Sequence, residues 1–153
     1  MSYYVDRDLR LAREKEYGYM FDAIRKTKVL DQYPQIFRLS AAIGYYKDPT
    51  SPGEEVKNSG EKVMLSFFNE IDYNYIDILA FKITGKQIIV KKDGEVPIFG
   101  SKYTIFEKYV KKGLPILYNY LNLDKEKLFY TDEESYEVAL KIINLLLNPS
   151  ACL

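Results

Sequence analysis

Apolar residues return at intervals of three and four along most of this chain, a spacing that buries one face of a helix and suits helix-on-helix packing better than a sheet. Leu9 to Val29 carries Leu9, Ala12, Tyr19, Phe21, Ala23 and Ile24 at roughly that period, with Gly18 weakening its middle, so one helix or two are expected there. Glu61 to Glu70 carries Val63, Met64, Phe67 and Phe68, and Tyr75 to Ile83 carries Ile76, Leu79, Ala80 and Ile83; both read as helices. Tyr103 to Leu121 repeats the pattern with Ile105, Phe106, Tyr109, Val110, Leu114, Leu117 and Tyr118, and its Gly113 and Pro115 are expected to bend or split it. A last helix, Glu133 to Leu147, opens on acids that suit the positive end of its dipole and stops before Pro149.

Punctuation places the rest. Pro34 suits the first turn of a helix, where its missing N–H costs nothing, and Gly44 is a natural stop for that helix near Ala42 or Ile43. Asp48 to Gly60 (DPTSPGEEVKNSG) is polar and rich in proline and glycine, and so reads as an exposed loop. Gln87 to Val90, the turn signal Asp93-Gly94 and Val96 to Phe99 read equally well as a short hairpin or an irregular loop. At 153 residues, 47% hydrophobic, the chain is sized for one core. The expected fold is mainly α, a single compact multi-helix domain over residues 1–153, with residues 87–99 the place for any β-hairpin.

The longest uncharged apolar runs, such as Ile142 to Leu147, fall far short of the roughly 20 residues of a membrane span, and Met1 to Arg13 is too charged for a secretory signal. The one cysteine, Cys152, offers no internal disulfide. A soluble, cytoplasmic chain without membrane contact is expected.

Histidine is absent. That excludes Ser-His-Asp and Cys-His nucleophilic catalysis, a histidine general base and histidine-ligated metals. Neither G-x-x-x-x-G-K-[ST] nor G-x-G-x-x-G occurs, so the usual phosphate cradles are missing too. The acids do not assemble into a recognisable metal or glycosidase site: Asp72 and Asp77 read as capping or dipole partners at a helix start, Glu54-Glu55 lies in the loop, and Asp132-Glu133-Glu134 opens a helix. Asp93-Gly94-Glu95 leads into Val96-Pro97 without the lysine that a nuclease site of the Asp…Glu-x-Lys kind requires. The 15 tyrosines, in a chain with no tryptophan, read as bulk for the core and its edge. No catalytic residue, cofactor or metal is expected.

Charge is balanced overall but not locally. Lys82 to Lys112 holds eight lysines against three acids, and Asp124 to Glu137 is acidic. In a helical Tyr103 to Leu114, Lys108, Lys111 and Lys112 emerge together opposite the apolar stripe, a face able to hold phosphates, which Lys91 and Lys92 would extend. A plain solvated helix face is the alternative.

Three stretches in order carry a family resemblance: RLSAAIGY (Arg38 to Tyr45) before the Pro/Gly loop, YIDILAFKITGK (Tyr75 to Lys86) and IFEKYVKKGLPIL (Ile105 to Leu117). Together they resemble the DNA phosphorothioation (Dnd) system-associated protein 4 family over about Ile24 to Leu121, with a charged N-terminus and a helix after Leu121 as departures. The resemblance implies a prokaryotic defence or DNA-modification setting, an accessory subunit without catalytic residues, and a larger protein of that system as partner. Sequence-independent contact with DNA or RNA is the alternative function, and self-association is left open.

Overall fold

A computed structural model describes residues 10–84 and 99–152. Its centre is a crossing of two helices, α2 (Tyr33–Lys47) and α4 (Phe99–Leu121). The crossing is close because glycines meet in it: a β-carbon on Gly44 would lie 3.2 Å from the Gly113 nitrogen, and one on Gly113 would collide with the Ser40 carbonyl. Gly44 therefore does not end α2, which runs on to Lys47, and Gly113 does not split α4. Both residues serve approach between backbones and not a turn. Pro115 also sits inside an unbroken α4; packing along the length of α4 outweighs the one backbone hydrogen bond that proline removes. Phe37 of α2 stacks on Phe106 of α4 at 6.2 Å and meets Phe21 at 5.3 Å, which brings the first helix, α1 (Gly18–Lys26), onto the same core.

Two expected helices prove shorter or absent. Arg10–Leu11 and Val63–Met64 form strands β1 and β2, paired antiparallel with Arg10 opposite Met64 and Leu11 opposite Val63. Each strand leads to a single 3₁₀ turn, Lys15–Tyr17 and Leu65–Phe67 respectively. The helical spacing of Leu9 to Tyr17 and of Glu61 to Phe67 is thus overridden by pairing between the two segments, which a local pattern does not report. Further bonds hold the segments together: the Lys15 N–H donates to the Asn58 carbonyl at 2.8 Å and the Gly60 N–H to the Arg13 carbonyl at 2.9 Å. Residues 87–98 of the expected hairpin lie outside the described residues, and Phe99 opens α4.

Helices α3 (Glu70–Thr84) and α5 (Asp132–Leu147) flank the crossing. Asn69 and Asp72 exchange side-chain to backbone hydrogen bonds at the start of α3, each 3.0 Å, and the buried Asp72 carboxylate also accepts from Arg38 of α2 at 2.8 Å. Asp77 lies within α3, not at its start, and pairs with Lys102 of α4 at 2.7 Å. Thr131 and Glu134 form the reciprocal cap of α5, whose Val138, Ile142 and Leu145 enter the core. The described residues make a mainly α fold.

Candidate interaction surface

The lysine face of α4 exists, but it is not bare. The Pro/Gly loop lies along it. Lys111, only 12% exposed, meets the Glu14 carboxylate at 3.3 Å and donates to the Glu55 carbonyl at 2.9 Å. Lys112 donates to the carbonyls of Asp48 and Ser51, at 3.2 and 2.7 Å, and Lys108 lies 3.7 Å from the Glu55 carboxylate. Gly53 passes over the Lys112 side chain with a φ of +97°, a left-handed conformation that suits glycine. Lys108, Lys111 and Lys112 are therefore brought together as the spacing implied, with their ammonium groups engaged by a loop read from sequence as simply exposed. Lys91 and Lys92 lie outside the described residues.

Glu14 is the anchor beneath this loop. Its carboxylate is 6% exposed and accepts from the N–H groups of Lys57 (3.0 Å) and Asn58 (3.2 Å) as well as facing Lys111. Burial alone would raise its pKa, but those donors and the ammonium outweigh burial and hold it below the usual value. Beside it Arg13 is buried over the rings of Tyr33 and Phe21, at 4.6 and 5.1 Å, and donates to the Glu61 carbonyl at 2.7 Å. On the same side of α4, burial pushes the half-buried Glu107 carboxyl up to about 7, against the opposing pull of the Ala12 N–H and of Lys62.

The tyrosines mostly act as struts. Tyr109, fully buried, donates to the Pro49 carbonyl at 3.2 Å, Tyr73 to Leu65 at 2.7 Å and Tyr120 to Lys141 at 3.0 Å. Burial pushes Tyr75 and Tyr109 up to about 12, so neither supplies a phenolate nucleophile near neutral pH. Among the described residues no three of His, Cys, Asp or Glu gather as a metal site, and no helix is long and apolar enough to cross a membrane.

Two stripes of large apolar side chains lie on the outside, apart from Leu128 and Phe129 ahead of α5 and Tyr19 and Tyr46. On α3, Ile71, Ile78 and Phe81 are about half or more exposed, and Phe67, 68% exposed, precedes them. Phe67 also lines a groove of about 570 Å³ with Arg25, Tyr33, Pro34 and Val63. On α5, Tyr136, Leu140, Ile143 and Leu147 form the second stripe. A signal for both was present in the sequence: these helices carry more apolar residues than a single buried face uses, which leaves a second apolar face to be covered or exposed. An apolar recess of about 250 Å³ between α2 and the C-terminal end of α5 is lined by Leu39, Tyr45, Tyr46, Tyr75, Leu145 and Cys152.

The family model described as DNA sulphur modification system-associated protein 4 matches residues 9–138. The chain belongs to this family. The match is wider than the three quoted motifs span: it takes in β1 and α1, the loop that covers the lysines, and the first turns of α5. The match thus extends beyond the Ile24 to Leu121 stretch that carries the resemblance, at both of its ends. No curated protein and no solved structure is detectably similar to the chain.

Proposed function

We propose that this family member is a non-catalytic accessory subunit of a DNA sulphur modification system, acting in the cytoplasm in anti-phage defence and docking to a larger protein of that system through α3. The observation that carries the reading is the α3 stripe of Phe67, Ile71, Ile78 and Phe81. Exposed apolar area of this kind, continuous with a groove at Phe67, marks protein contact more often than it marks an isolated surface. The family description, "associated", supports an accessory role. The engagement of Asp72, Asp77 and Glu14 in capping and ion pairing also supports it, because it leaves these acids in structural work.

The experiment is co-purification of the tagged chain with the proteins of a DNA sulphur modification system. Wild type is expected to retain one of them, and Ile71→Glu with Ile78→Glu to lose it while keeping its helical circular dichroism. Retention by the double variant would remove α3 as the docking face. The nucleic-acid alternative requires the acidic loop to leave the α4 lysines first, since a phosphate would compete with Glu54, Glu55 and the loop carbonyls for the same ammonium groups. No geometry favours it over docking.

A further inference from the structure

The exposed residues of α5 follow a rule of their own. Tyr136, Leu140, Ile143 and Leu147 are separated by four, three and four residues, the seam spacing of a coiled coil, and each is between 47% and 82% exposed. That seam lies on the other side of α5 from Val138, Ile142 and Leu145, which face the core. A four-three-four spacing reads the same from either end. Turned about a two-fold axis between residues 141 and 142, the stripe meets itself with Tyr136 opposite Leu147 and Leu140 opposite Ile143.

Charge selects that direction of pairing. The acids of α5 are Asp132, Glu133, Glu134 and Glu137, all in its first half, whereas residues 142–152 carry no charge. Side by side in the same direction, two copies would set acid against acid. In opposite directions the acidic half of one lies along the uncharged half of the other. Lys141 is directed away from the seam, donating to the Leu121 carbonyl at 3.2 Å, and Glu134 is taken up by Thr131 and Lys127. Leu146, also exposed, falls beside Ala139 of the second copy and lengthens the apolar strip. With Leu146 these side chains offer roughly 600 Å² per copy, so a symmetric pair that closed over all of it would bury about 1,200 Å², the lower edge of a stable interface.

We propose that the chain self-associates as a two-fold dimer through antiparallel α5 helices. The dimer uses a different helix from the α3 docking reading and stands or falls independently of it. Most of the seam also lies beyond the family match, which ends at residue 138.

Light scattering after size exclusion, with the full chain alone over a hundredfold concentration range, is expected to show the mass rising from 17.9 kDa toward twice that value. Ile143→Glu, a change at an exposed position, is expected to return it to the monomer with unchanged circular dichroism. Direction is read by oxidation in a Cys152→Ser background. A mixture of Tyr136→Cys and Leu147→Cys chains is expected to form a disulfide-linked dimer, and Tyr136→Cys alone is expected to form none. A monomer at every concentration would overturn the proposal and leave the stripe to a different protein. So would a dimer that survives Ile143→Glu, or a Tyr136→Cys chain that links to itself. Loss of the co-purified partner in the α3 variant with the dimer intact separates the two surfaces.

Discussion

Lys111 shows how much a single side chain can carry. It faces a carboxylate buried at Glu14 and ties down the Glu55 carbonyl, so truncating it leaves that carboxylate with the Lys57 and Asn58 N–H groups but without its opposite charge. Lys111→Met is expected to lower unfolding free energy by roughly 3 kcal/mol, read from the urea midpoint, because breaking a buried pair costs more than the pair itself contributes. The two carboxylates near the N-terminal segment titrate in opposite senses. Glu14 is held below its unfolded value of 4.5, so its contribution is present above that pH and is lost as pH falls through the folded value. Glu107 is raised from 4.5 to about 7, so its contribution is full below 4.5 and disappears as pH rises through 7. Glu107→Gln keeps an acceptor for the Ala12 N–H and removes the charge. It is expected to stabilise the fold by about 2 kcal/mol at pH 8 and to change little at pH 4.5, in thermal melts at the two pH values.

Among the elements, the α2–α4 crossing sets everything around it. Its two glycines let the helix backbones approach, and the neighbouring positions fill the core with Phe37, Phe106 and Tyr109. Gly113→Ala forces a β-carbon into the Ser40 carbonyl, and relief requires the helices to separate. The expected loss is about 3 kcal/mol or more, visible as a shifted denaturation midpoint, although alanine is the better helix former in isolation. Gly18→Ala is the contrast: nothing lies within 4 Å of the added carbon at the start of α1, so little change or a small gain in melting temperature is expected. The loop from Asp48 to Gly60 behaves as part of the same element pair, since α4 supplies three lysines to it and Tyr109 bonds its start.

On the scale of the whole molecule, the core is shared by all the helices while α3 and α5 each keep an apolar face outside. The docking reading expects Ile71→Glu with Ile78→Glu to abolish partner retention without unfolding, as co-purification would show. Much of this architecture was legible in the sequence. Local periodicity identified α4 from Tyr103 onward, the body of α3 and all but the first residue of α5, because those helices bury a regular stripe along their length. The lysine triad was legible for the same reason, since helical geometry alone sets the direction of Lys108, Lys111 and Lys112. What the spacing did not contain was any partner distant along the chain. Leu11 pairs with Val63, Glu14 holds the amides of Lys57 and Asn58, and Gly44 meets Gly113; each of these joins segments tens of residues apart. The sequence by itself determined which stretches could be helical and that too many apolar residues were present to be buried on single faces. Tertiary structure decided which of those stretches gave up a helix to pair as strands, which glycines were contacts instead of stops, and that the lysines face a loop, because burial and close approach are properties of two segments at once.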